Sequence, residues 1–251
     1  MRLWFYAFFM AWGMFLAIPC PFPKWDERAR YRMLVCLPLI GGMIGGLWAL
    51  SAFLLSLFPC PAAIRALVLT AVPALITGFI HLDGFMDVSD AVLSRRDLAG
   101  RQKILKDPHT GAFAVLSAAF LLLSVFSLFF SWEYSKEDLL PLALIPVAVR
   151  ASAGIAVILF KPMETSQYRG EKKKTLVIPL FVMLAAAIAV PAALNGVHGL
   201  APASAALIYF LAALFAKKQL GGMSGDVSGY ALTLGELAGV ALTVLLRLFV
   251  R

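Results

Sequence analysis

Three aspartates, Asp83, Asp87 and Asp90, stand at i, i+4 and i+7 within the segment Thr77 to Asp90. On a helix that spacing sets all three carboxylates on one face. Three unpaired carboxylates so placed repel one another, so a cation is expected among them. Oxygen donors without thiolates favour Mg²⁺ or Mn²⁺ over zinc. His81 lies in the same segment, where it can orient a carboxylate or meet a phosphate. Downstream, Arg95, Arg96, Arg101, Lys103 and Lys106 precede Asp107, and Pro108 confines any helix here to roughly residues 94–107. A divalent cation beside Arg and Lys donors suits phosphoryl transfer, whose chemistry needs charge on a phosphate to be neutralised. The basic stretch reads equally as an amphipathic helix at a membrane surface.

A second polar island, Gly221-Gly222-Met223-Ser224-Gly225-Asp226-Val227-Ser228-Gly229, follows Lys217 and Lys218. Glycines let backbone N–H groups approach a phosphate, and a helix starting near residue 230 would offer its N-terminus. Gly222, Ser224 and Gly225 are therefore candidate substrate contacts, and Asp226 a further metal ligand. The island lacks the Gly-Lys-Ser/Thr ending of a nucleotide-binding P-loop. Close packing of helices through small residues is the competing explanation. Arg150 and Glu236 fall inside apolar segments, where an unpaired charge is expensive, so both are expected to face a shared polar cavity.

The elements that position these residues must be membrane helices. Of 251 residues, 61% are hydrophobic and 14% charged, and the mean hydropathy is +0.88, which excludes a water-soluble enzyme. Residues 33–58, 112–132 and 175–194 carry no ionised side chain and are long enough to cross a roughly 30 Å hydrocarbon layer. Their continuous apolar character excludes a barrel. Apolar segments at about 3–19, 33–58, 62–80, 112–132, 139–160, 175–194, 200–216 and 230–250 predict an all-α, polytopic bundle of seven or eight spans in a single membrane domain, 1–251. Residues 3–19 lack a small-residue cleavage site and are expected to be retained, as a span or an interfacial helix. The segment 62–80 is expected to run on into the acidic face without a break.

Charge sets the expected orientation. Loops 20–32, 81–111, 161–174 and 217–229 carry 4, 5, 5 and 2 basic residues, whereas the other side holds only Arg2, Lys136 and Arg251. The positive-inside rule makes the basic loops cytoplasmic, consistent with the net charge of +8 serving lipid headgroups and anionic substrates rather than nucleic acid. Cys20, Cys36 and Cys60 form no C-x-x-C pair and read as apolar fillers. Gly41-Gly42 and Gly45-Gly46 read as helix-packing positions.

Three stretches together resemble one known family. Thr77-Gly78 with His81-Leu82-Asp83-Gly84, Asp87 and Asp90 is similar to its T-G-x-x-H-L-D-G-x-x-D-x-x-D signature. Ile104 to Phe113, containing Lys106-Asp107, resembles its I-M-K-D-x-x-x-G element, and Gly221 to Asp226 its G-G-x-T-G-D element. The family is cobalamin synthase, adenosylcobinamide-GDP ribazoletransferase, and the likeness covers nearly the whole chain, including Arg150. It implies a multi-pass inner-membrane enzyme with its site at the cytoplasmic face and a requirement for Mg²⁺. Its substrates would be adenosylcobinamide-GDP and α-ribazole or its 5′-phosphate, with the ribazole 5′ hydroxyl attacking phosphorus and GMP leaving. Asp83, Asp87, Asp90, Asp107 and Asp226 would hold metal. His81 and Lys106 would join the catalytic aspartates, and Arg95, Arg96, Arg150, Gly222, Ser224 and Gly225 would bind substrate. A homo-oligomer or association with other nucleotide-loop enzymes is compatible with this. Ala91 stands where the family usually has Gly, Ser224 where it has Thr, and the basic segment 168–174 matches no family pattern. The alternatives are a phosphotransferase like those for CDP-alcohols, acting on another nucleotide-diphosphate substrate, and a secondary transporter, for which no internal repeat is found.

Overall fold

The computed structural model describes residues 2–164, 166, 168 and 174–250, and these residues are helical with short connections. Ten helices follow in order: α1 (Arg2–Phe15), α2 (Arg30–Ser56), α3 (Ala62–Ile76), α4 (Ile80–Leu93) and α5 (Leu98–Ile104), then α6 (Ala112–Phe130), α7 (Leu139–Leu159), α8 (Val177–Asn195), α9 (Ala201–Leu220) and α10 (Gly225–Phe249). The expected basic residues Arg169, Lys172 and Lys173 lie outside the described residues.

Five stretches are long and apolar enough to cross a membrane, or six if α3 and α4 form one bent span. Hydropathy counted more because it credited residues 3–19 and took 175–194 and 200–216 separately, whereas Lys174–Leu220 qualifies as one stretch containing α8 and α9. At 14 residues, α1 reaches only about 21 Å, short of a roughly 30 Å core.

The expected run-on from 62–80 into the acidic segment does not occur. Gly78 and Phe79 both take positive φ, 58° and 63°, and the chain turns through 91° between α3 and α4. Buried Thr77 closes α3 by donating its hydroxyl to the Pro73 carbonyl at 2.8 Å. The carboxylate spacing survives, because Asp83, Asp87 and Asp90 all lie within α4. The basic stretch forms only the short α5.

Helix α7 is the hub, packed against α2, α8, α9 and α10. Its approach to α2 depends on Gly41 and Gly45, where an added Cβ would collide with the Pro146 and Ala143 carbonyls; Gly46 meets nothing within 4 Å. One face of the glycine pairs therefore packs, as expected. At the far end of the bundle, Arg247 of α10 donates to Asp138 at 2.9 Å and to Glu137 at 2.8 Å, closing α10 against the start of α7. At the other end, Met163 N–H donates to the Met223 carbonyl at 2.9 Å and Met223 N–H to the Lys161 carbonyl at 2.8 Å, which ties the end of α7 to the start of α10.

Candidate active site

The two polar islands meet where α4 crosses α10. A Cβ on Gly84 would stand 3.0 Å from the Asp226 Cα, and one on Gly229 would stand 3.2 Å from the His81 carbonyl. Thr233, farther along α10, donates to that same carbonyl at 3.2 Å. Contacts of 81 with 229 and 233, and of 84 with 226, mean that α4 runs against the direction of α10. His81 therefore lies deepest, and Asp83, Asp87 and Asp90 climb toward the α10 N-terminus. Asp87 is within electrostatic reach of Asp83, Asp226 and Asp90.

The start of α10 is at Gly225, five residues earlier than the hydropathy suggested. Ser224 is its N-cap, accepting from Val227 N–H at 3.2 Å and donating to Asp226 Oδ2 at 3.3 Å. The glycines divide in role. Gly221, at φ 84°, ends α9, and Gly222 lies flat against the Met163 backbone, so both close the chain. Only Gly225 has open space where a Cβ would be.

A cavity of about 590 Å³ opens beside this crossing, lined by the end of α1, by α2, α4, α7, Lys106 and α10. Of the expected site residues, His81, Asp83, Lys106, Arg150, Ser224, Gly225 and Asp226 line it. Arg150 and Glu236, expected to face a shared polar cavity, form an ion pair at 2.7 Å, with the Arg150 side chain 2% exposed. A second, small cavity of about 70 Å³ shares His81 and Arg150 with the first.

Other expected residues lie elsewhere. The Asp90 carboxylate sits on Gly111, the N-cap of α6, where no Cβ would fit, beside the favourable end of that helix dipole. Asp107 is exposed and accepts from His109 N–H at 3.0 Å, which holds its carboxyl below the usual carboxylate value. Arg95 and Arg96 are exposed beyond α4. Arg101 is bonded to the Gln219 side chain, so it anchors α5 to α9.

Two further cavity residues carry no signal in the sequence. Phe15 at the end of α1 stacks on the His81 ring, centroids 6.0 Å apart, and Gln102 donates to the Leu220 carbonyl at 2.9 Å. An aromatic in an apolar run and a lone Gln carry no signal until the fold brings them to a cavity.

Among the described residues, no three of His, Cys, Asp and Glu converge into a ready ligand set. The carboxylates of Asp83, Asp87 and Asp226 nonetheless suit a hard cation: they share one helix crossing and none forms an ion pair among the described residues.

The family model described as cobalamin-5-phosphate synthase matches residues 7–245. Proteins named adenosylcobinamide-GDP ribazoletransferase are similar along nearly their whole length. That of Clostridium perfringens strain 13 is 38% identical over 96% of this chain and 98% of its own. That of Clostridium botulinum strain Alaska E43 is 35% identical over 96% and 97%, and that of Geobacillus kaustophilus 36% over 90% of each. No solved structure matches the chain. With a family match spanning both polar islands and the helices that join them, the chain belongs to the cobalamin-5-phosphate synthase family.

Proposed function

We propose that the protein is an adenosylcobinamide-GDP ribazoletransferase, a membrane transferase that joins α-ribazole or its 5′-phosphate to adenosylcobinamide-GDP and releases GMP. The observation that carries the reading is the meeting of the acidic helix α4 with the Ser224–Asp226 cap at one cavity, in a chain that matches relatives of that name end to end. The excess of basic residues in the loops at this end supports a cytoplasmic orientation, where nucleotide substrates are found.

A ribose hydroxyl oxygen forms a bond to the phosphorus on the corrinoid arm. The bond from that phosphorus to the oxygen bridging to GMP breaks, and GMP leaves with the electron pair. The 5′ hydroxyl cannot be the nucleophile for both substrates, because α-ribazole 5′-phosphate is blocked there; a different ribose hydroxyl must serve. Mg²⁺ held by Asp83, Asp87 and Asp226 would offset charge on the diphosphate. Asp90 and Asp107 are poorer candidates, the first turned to α6 and the second exposed and paired with His109, whereas Asp87, itself off the cavity lining, stays within electrostatic reach of Asp83 and Asp226. Lys106 adds a positive charge at the mouth, and the open Gly225 backbone with the α10 N-terminus can face a phosphate oxygen. A carboxylate of the cluster or His81 takes the hydroxyl proton.

Membranes containing the protein, incubated with adenosylcobinamide-GDP, α-ribazole and Mg²⁺, should yield adenosylcobalamin and equimolar GMP by mass analysis. Absence of both products from correctly inserted protein would overturn the reading.

A further inference from the structure

We infer that the floor of the cavity seats the nucleoside substrate, and that the corrinoid substrate closes over it with only its diphosphate arm inside, so that the nucleoside must enter first. The inference rests on the transferase reading above and adds to it where each substrate goes and in what order.

Three buried polar atoms at the floor have no partner among the described residues: His81 Nε2, Arg150 Nε and Arg150 Nη2. Buried polar groups are ordinarily paired, so these point to a ligand that carries a hydrogen-bond acceptor. The third Arg150 nitrogen, Nη1, already donates to Glu236 Oε1 at 2.7 Å and to the Pro146 carbonyl at 3.3 Å. The pair is therefore close to neutral, and what it offers is directed N–H donors without a strong net charge. That suits an uncharged acceptor such as the ring nitrogen of a base better than a phosphate, whose natural place is higher, near Lys106 and the α10 N-terminus.

Depth separates the two levels. Arg150 lies nine residues before the end of α7 and Glu236 ten beyond Asp226, which places the pair about 14–15 Å in at 1.5 Å per residue. The walls between are apolar, with Leu37, Ala153 and Leu232 around the cavity and Phe15 stacked on His81. An apolar fused-ring base carrying a ribose matches this layout, its ring against the walls with the ring nitrogen accepting from the floor donors, and its ribose turned upward so that a hydroxyl meets the phosphorus near Lys106 and the α10 N-terminus. Size gives the order. A space of about 590 Å³ is in the range that encloses a drug-sized molecule, and a corrin macrocycle with a nucleotide arm is several times larger. Once that arm fills the mouth, the floor is closed to a second molecule.

The test uses full-length protein in nanodiscs. Calorimetric titration with α-ribazole alone should show saturable one-to-one binding. Excess adenosylcobinamide-GDP should inhibit turnover, and rising α-ribazole should relieve that inhibition. Leu37→Trp or Ala153→Val, which crowd the floor from the walls, should raise KM for α-ribazole about tenfold while KM for adenosylcobinamide-GDP stays within about twofold. Turnover without α-ribazole binding on its own, absence of substrate inhibition, or a floor substitution that moves only the corrinoid KM would each overturn the inference. The wild-type measurements decide it even if both variants fold poorly. Binding of α-ribazole without any turnover on adding adenosylcobinamide-GDP would instead defeat the transferase reading and leave the nucleoside seat standing.

Discussion

Asp83 and Asp226 come from helices far apart in sequence, yet both line one cavity without a cationic partner among the described residues. Replacing either by Asn removes a charge and an oxygen ligand while keeping the shape. Asp83→Asn and Asp226→Asn should each lower turnover by about a hundredfold or more at limiting Mg²⁺, with membrane insertion unchanged by fractionation. Because both act on one assembly, the double variant should be little worse than either alone, and multiplicative losses in the same assay would separate them into independent sites. The Arg150 and Glu236 pair behaves differently, since each partner neutralises a charge that the bundle cannot solvate. Glu236→Gln leaves Arg150 uncompensated and should destabilise the protein by about 3–5 kcal/mol. Thermal unfolding in detergent should show Arg150→Met with Glu236→Leu to be more stable than Glu236→Gln alone.

At the scale of the element, carboxylates on α4 reach Asp226 only because two glycines let α4 and α10 come close. A methyl at Gly84 would lie 3.0 Å from the Asp226 Cα, a backbone atom that cannot move aside alone. Gly84→Ala should therefore push the helices apart, lowering stability by about 1–3 kcal/mol and turnover by more than that loss of folded protein explains. Gly46→Ala, where an added Cβ meets nothing within 4 Å, should leave the activity and the melting temperature of the membrane-extracted protein nearly unchanged. The turn at Gly78 and Phe79 belongs to the same scale. By sending α4 away at 91° from α3, it lets the acidic helix lie along α10.

Across the whole molecule, the connection between the ends of α7 and α9, the α5 segment and the start of α10 all gather at one end, and the Arg247 clasp closes the other. If the gathered end faces the cytoplasm, its loops should be shielded in intact cells. With Cys20, Cys36 and Cys60 replaced by Ser, Arg96→Cys and Lys218→Cys should not react with an impermeant thiol reagent until the membrane is opened. Lys136→Cys should react from outside. The opposite pattern would put the cavity on the wrong side for cytosolic nucleotides.

Local chemistry was legible in the sequence: the membrane class from unbroken apolar runs, the shared carboxylate face from i, i+4, i+7 spacing, a shared polar setting for Arg150 and Glu236 from the cost of charge in hydrocarbon, and the family from three motifs in order. Tertiary structure decided what depends on direction and proximity. Hydropathy could not show the break after Thr77, because it averages over a window and two left-handed residues leave no trace in it. Spacing could place Asp90 on the same face as Asp83 but could not reveal that Gly111, at the start of α6, would be waiting under its carboxylate. The glycine island suits either a phosphate or close helix packing; folded, Gly221 ends a helix, Gly222 packs on Met163 and, of the island's glycines, only Gly225 stays open. Phe15 and Gln102 became site residues solely by where α1 and α5 come to rest. A sequence reports what each residue can do, through its charge, size and period, whereas which residues act together is set by long-range packing, because contacts between helices carry no fixed spacing along the chain.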